Sequence, residues 1–181
     1  CQPHGGVAIT RLAAETRRAR LLATGAQDGG LRLLDLRALP PGGKPKAQVA
    51  GREADSEGQG HAARVEGLAW LPGDDRLLVS AGDTTVKVWD ASAPHSAVLS
   101  CDLKAEARGV AVSNGPPAAA VVPLGDCTLR LLDFRMGRPA GCLQGHTRPP
   151  LCVAWAPDGE QRLYSGGLDG SVRAWDPRMG A

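Results

Sequence analysis

Two groups of residues in this chain have the side chains of a hydrolytic triad: His61, Ser80 and Asp83, and His146, Ser165 and Asp169. A serine beside a histidine that a carboxylate orients is the arrangement that makes a hydroxyl nucleophilic. His4, Thr24 and Asp28 repeat the pattern in part, and Asp126 stands without a histidine or hydroxyl at the matching places. Both complete groups are followed by a tryptophan, Trp89 and Trp175. Catalysis needs one exposed hydroxyl next to an oxyanion hole, whereas a set that recurs at fixed spacing with a tryptophan serves structure. The expectation is therefore of structural tetrads, with no catalytic residue and no enzymatic activity.

Other chemistry finds little support. Cys1, Cys101, Cys127, Cys142 and Cys152 are odd in number and include no C-x-x-C pair, so no zinc site of ordinary spacing can be written. Neither a metal nor another cofactor is expected, and reduced thiols of an intracellular protein fit the cysteines best. Gly42-Gly43-Lys44-Pro45 is not a phosphate loop, because Ala38 and Pro45 stand where a glycine and a Ser/Thr are required. Arg17, Arg18 and Arg20 read as a solvated basic loop, and His95 as a surface histidine.

The elements that hold these residues follow from a repeat. Leu31-Arg32-Leu33-Leu34-Asp35 returns as Val86 to Asp90, Leu129 to Asp133 and Val172 to Asp176, each apolar, basic, apolar, apolar, Asp. A second aspartate lies seven residues earlier each time, at Asp28, Asp83, Asp126 and Asp169. Successive terminal aspartates are 55, 43 and 43 residues apart, and the long interval coincides with the Pro/Gly/charge-rich stretch from Pro40 to Gly60, read as a loop insertion. Within a unit, short alternating runs such as Val65 to Trp70 and Thr85 to Trp89 flank turns such as Pro72-Gly73-Asp74. No helical periodicity competes, so the fold is all-β. Units are expected over about 4–50, 61–100, 101–143 and 144–181, with the insertion at 40–60.

Ser80 stands one residue nearer its aspartate than Ser165 does, so the second unit should have an altered turn. The third unit, with Val122 and Leu132 where the others carry a hydroxyl and Trp or Leu, is the degenerate one.

Composition narrows the partners. With 21 basic and 19 acidic residues among 181, the charge is +2, without the one-sided excess of a nucleic-acid or membrane-surface binder. Direct nucleic-acid binding is disfavoured, and no apolar run reaches the length of a membrane span.

Gly60-His61 and Gly145-His146 open units that close on Trp89-Asp90 and Trp175-Asp176, and the four tryptophans, the other two being Trp70 and Trp155, all occupy framework positions. On these residues the chain resembles WD-repeat proteins, whose blades are four-stranded antiparallel sheets arranged as a β-propeller. That resemblance implies His, Ser/Thr, Asp and Trp hydrogen-bonded within each blade. Four units where the family's repair receptors have seven imply an incomplete, open part of a ring.

Asp35-Leu36-Arg37, Asp133-Phe134-Arg135 and Asp176-Pro177-Arg178 extend three units to an arginine. Among WD-repeat proteins such boxes resemble those of substrate receptors of cullin-RING ubiquitin ligases. The order of units is most similar to receptors of the Cockayne syndrome group A type. The resemblance implies a nuclear scaffold in transcription-coupled nucleotide excision repair. Asp176, Arg178, Arg135 and Arg37 would dock to the ligase's large propeller adaptor, and repair and transcription proteins would be further partners. The alternatives are a WD-repeat scaffold in import, RNA processing or signalling, and a nucleic-acid-binding module.

Overall fold

The computed structural model describes residues 6–15, 20–38, 47–50, 60–93, 97–115, 119–157 and 161–177. Among these residues fifteen strands form four antiparallel sheets, each built from strands consecutive in the chain. The first sheet holds β1 (Ile9–Ala14), β2 (Leu21–Ala26), β3 (Leu31–Asp35) and β4 (Ala47–Ala50). The second holds β5 (Val65–Trp70), β6 (Leu77–Gly82), β7 (Thr85–Asp90) and β8 (Ala97–Asp102). The third holds β9 (Ala111–Val112), β10 (Ala119–Pro123), β11 (Leu129–Asp133) and β12 (Arg138–Leu143). The fourth holds β13 (Pro150–Trp155), β14 (Leu163–Gly167) and β15 (Val172–Trp175), three strands among the described residues. Among the described residues one short 3-10 turn, Leu36–Ala38, is the only helical element, and no helix there is long and apolar enough to cross a membrane. The all-β fold of four meandering sheets expected of propeller blades is thus present.

Hairpin registers fix how the units correspond. Trp89 pairs with Leu78, Leu132 with Ala120 and Trp175 with Leu163. The third strands therefore superpose position by position, and so do their partners. A bulge recurs near the start of the first strand, between Ile9 and Arg11, Val65 and Gly67, and Pro150 and Cys152. Such a bulge turns the extra residue out of the ladder.

The third strands of the first three sheets are largely covered, whereas β15 is partly exposed. Val86 and Val88 face the interface with the third sheet, while Trp89 packs towards the first with Ala23, Leu31 and Leu33. The interior is mostly Leu, Val and Ala, with Trp70, Trp89 and Cys101 among them, and it closes because consecutive sheets meet face to face. Two tryptophans extend from one sheet to its neighbour. Trp70 Nε1–H donates to the carbonyl of Ala13 at 2.9 Å, and Trp155 Nε1–H to that of Ala111 at 3.2 Å. The first and fourth sheets carry exposed apolar side chains, Leu12 (62%) and Val172 (80%) among them.

One element differs from the sequence reading. β4 lies inside the stretch read as a loop insertion, and its backbone pairs with Leu31–Leu34 of β3. Four residues, Ala-Gln-Val-Ala, between Gly/Pro-rich flanks are too short for alternation to stand out.

Candidate functional site

The fourth sheet brings His146, Ser165, Asp169 and Trp175 into one hydrogen-bonded chain. His146 Nε2 is 2.7 Å from Ser165 Oγ and its Nδ1 is 2.8 Å from Asp169 Oδ2, while Trp175 Nε1–H donates to Ser165 Oγ at 2.8 Å. The order of donors follows from chemistry. An ionised carboxylate only accepts, so Nδ1 carries the ring proton, Nε2 accepts the Ser165 hydroxyl proton, and the indole fills the serine's other site. Burial raises the Asp169 pKa, but donation from Ser171, His146 and the amide of Thr147 outweighs it and holds the carboxyl well below the usual range. Those backbone donors tie the residue after the histidine to the turn.

The bonding order is that of a catalytic triad, yet this serine is no nucleophile. Ser165 is 2% exposed and Ser80 is fully buried, and each oxygen is capped by an indole N–H. No substrate carbonyl reaches either hydroxyl.

The second sheet contains the same chain rerouted. His61 Nε2 is 2.7 Å from Ser80 Oγ, and Trp89 Nε1–H donates to that oxygen at 2.8 Å. His61 Nδ1, however, lies 3.0 Å from Thr85 Oγ1 and 3.6 Å from Asp83 Oδ1. The shorter turn accounts for this: Asp83 itself adopts φ 46°, whereas in the fourth sheet the positive φ of 74° falls on Gly170, after Asp169. Asp83 still accepts the amides of Ala62 and Thr85, at 2.6 and 2.7 Å. Burial pushes its pKa up, but the His61 ring, the Ala62 amide and the Thr85 side chain outweigh that and lower it well below the ordinary carboxylate range.

The third sheet has no polar chain at all. By register, Leu103, Val122, Leu124 and Leu132 stand where the fourth has His146, Ser165, Gly167 and Trp175, and all four are buried in one apolar cluster. Asp126 keeps its local turn, accepting from the amide and hydroxyl of Thr128, and lies 3.9 Å from the Arg130 guanidinium. In the first sheet Thr24 is buried with its hydroxyl 3.4 Å from the Arg32 carbonyl, Asp28 accepts the amide of Gly30, and His4 lies outside the described residues. The sequence reading missed Thr85 and Leu103. The recurring Asp-x-Ser/Thr of Asp83-Thr85, Asp126-Thr128 and Asp169-Ser171 was the available signal for the former.

At the opposite end of the sheets Asp35, Asp90 and Asp133 are the last residues of their third strands, and Asp176 directly follows β15. Asp35 Oδ1 accepts the amide of Arg37 at 2.9 Å and Asp133 Oδ1 that of Arg135 at 2.8 Å, while Ser92 makes the equivalent bond to Asp90. This turn consumes the aspartate and leaves the side chains of Arg37 and Arg135 exposed. Arg20, the one described member of its cluster's three arginines, donates twice to Asp35 and with the Arg37 amide lowers its pKa. Asp176 is exposed, and Arg178 lies outside the described residues, as do His95 and the stretch from Gly42 to Pro45. Among the described residues no group of three or more His, Cys, Asp or Glu is placed to hold a metal ion.

The family described as WD domain, G-beta repeat, matches residues 56–90 and 137–176, the second and fourth units. The chain is 27% identical over 183 residues to the WD repeat-containing protein ATCSA-1 of Arabidopsis thaliana, covering 97% of this chain and 40% of that protein. It is 28% identical over 204 residues to the human serine-threonine kinase receptor-associated protein, covering 91% of this chain and 54% of that one. It is 32% identical over 168 residues to human Coronin-7, covering 88% of this chain and 17% of that protein. It thus spans about half or less of the length of these relatives. The two matched repeats coincide with the two units whose His, Ser and Trp are hydrogen-bonded together, and the chain is a WD-repeat protein.

Proposed function

We propose that this chain is the substrate-receptor or adaptor part of a cullin-RING ubiquitin ligase acting in transcription-coupled excision repair in the nucleus, without a catalytic centre of its own. WD repeats make it a protein-interaction scaffold. The observation that carries the finer reading is the pair of Asp-x-Arg turns, in which Asp35 and Asp133 each bind the amide of an exposed arginine two residues on. Guanidinium groups presented this way can form charge-assisted, bidentate bonds across an interface. Similarity to ATCSA-1 along 97% of the chain supports the same reading.

The test is co-purification of the chain with the ligase's propeller adaptor. Wild type should be retained, and Arg37→Ala with Arg135→Ala should lose most of the adaptor while keeping its thermal melt. No retention of wild type, or full retention by the double variant, overturns the docking role. A second reading, a scaffold in receptor signalling, is favoured by the similar identity to the serine-threonine kinase receptor-associated protein. Capture of a receptor kinase domain in place of the adaptor would select it.

A further inference from the structure

Trp70 and Trp155 end the first strands of their sheets at equivalent places, each bonded to a carbonyl of the preceding sheet, but their surroundings differ. Leu21 packs onto the cluster that contains Trp70, which is 7% exposed. By register Ala119 is the counterpart of Leu21, since it pairs with Asp133 as Leu21 pairs with Asp35. Trp155 is accordingly less buried, and an open cavity of about 180 Å³ lies between the third and fourth sheets. Leu131, Ala119, Trp155 and Pro177 line it, with Asp133 and with Ala140, the exposed bulge residue of β12. An alanine where a leucine would fill the space leaves such a void when the walls do not collapse.

Size and polarity decide what fits. Apolar voids of about 150 Å³ hold one benzene ring, whereas pockets for drug-sized molecules run to about 300–1,000 Å³, so this cavity suits a single aromatic side chain. Asp133 adds an acceptor. It shares a sheet face with Ala119 and Leu131, the face turned to the fourth sheet. Its Oδ1 accepts the Arg135 amide, and among the described residues no other group donates to the carboxylate, so Oδ2 is left to accept. A phenol or indole ring entering here would rest on Trp155 and Leu131 and donate its O–H or N–H to Oδ2.

We propose that this cavity is an anchor site for a protein partner that inserts one tyrosine or tryptophan side chain. Such residues, seated in a pocket, carry much of the binding energy of interfaces. Pro139 and Ala140 at the rim are exposed, so the backbone that carries the ring has access. The third and fourth sheets alone build the site and no guanidinium takes part in it. It therefore does not rest on the ligase reading, and failure of either leaves the other standing.

The experiment is an NMR titration of the whole, isotope-labelled chain with capped short peptides in which serines flank Tyr, Trp, Phe or Ala. The indole N–H signal of Trp155 is the reporter, assigned by its loss in Trp155→Phe. The Tyr or Trp peptide should shift that signal and bind at least roughly tenfold tighter than the Ala peptide, with the tighter of the two naming the ring. Ala119→Leu, which restores the side chain found between the first and second sheets, should abolish this binding while raising the thermal midpoint. Asp133→Asn keeps an oxygen for the Arg135 amide but presents an N–H in place of Oδ2, so it should remove the preference of Tyr over Phe. Arg37→Ala with Arg135→Ala should leave every affinity as in wild type, which separates this site from adaptor docking. Equal binding of the Tyr, Trp and Ala peptides, full binding by Ala119→Leu, or a Tyr preference that survives Asp133→Asn would each overturn the proposal.

Discussion

Gly167 leaves the room that His146 fills: a Cβ on Gly167 would lie 2.8 Å from Nδ1 of the histidine. Gly82 stands in the same relation to His61, with its Cβ 3.0 Å from the ring. Where the third sheet has no histidine, Leu124 occupies the glycine's place and Leu103 the histidine's, both fully buried. Glycine and histidine therefore change together, because the volume one leaves is the volume the other needs.

The first prediction follows from that fit. Gly167→Ala should destabilise the chain by about 1–3 kcal/mol, since the methyl group must displace the ring that holds Ser165 and Asp169. Urea denaturation followed by tryptophan fluorescence measures it. An unchanged midpoint would show that the ring can shift without cost.

The polar chain and its apolar replacement are two complete solutions, and mixing them should fail. Val122→Ser puts a hydroxyl among the apolar side chains of Leu103, Leu124 and Leu132, without the histidine and indole that flank Ser165, and should cost about 1–3 kcal/mol. His146→Ala makes the reverse error, leaving Ser165 and Asp169 without their bridge, at a cost of about 1–3 kcal/mol. Equilibrium unfolding of both variants should give losses of similar size. Either variant melting with wild type would contradict the all-or-none account.

Cys127 holds a backbone that suits glycine. Its φ is 70°, and Gly29 and Gly170, which follow the turn aspartates of the first and fourth sheets, have 81° and 74°. A side chain there costs steric energy that exceeds the entropy glycine loses on folding. Cys127→Gly should stabilise the chain by about 0.5–1 kcal/mol, read as a raised thermal midpoint. A lowered midpoint would mean that the thiol makes a contact of greater value.

Much of this was legible because a repeat displays its own framework. Asp83, Asp126 and Asp169 recur at a fixed distance from the terminal aspartates, so their turns could be placed from spacing alone. The altered second turn was also legible, from the one-residue deficit between Ser80 and Asp83. Its consequence was not, because the swing of His61 towards Thr85 depends on which residue takes the positive φ. The cavity beside Trp155 was hidden for a different reason. Its walls come from two sheets and meet only after these pack, so no local spacing links them.

Acid should expose the part played by the turn carboxylates. Asp83 and Asp169 are both held well below the ordinary value of 3.8, with burial opposed and outweighed by hydrogen bonds to the charged form. A group whose folded pKa is depressed contributes stability that is present above the unfolded pKa and is lost as pH falls through the folded one. These two aspartates should therefore leave the melt flat between pH 7 and about 5, with their contribution declining below about 4. Asp169→Asn removes one titrating group while keeping an oxygen that can accept from His146 and the Thr147 amide. The variant should be less stable than wild type at neutral pH, and the gap should narrow as pH drops below about 4. Thermal melts at a series of pH values provide the measurement. A gap that stays constant down to pH 2 would show that Asp169 contributes through shape and not through its charge.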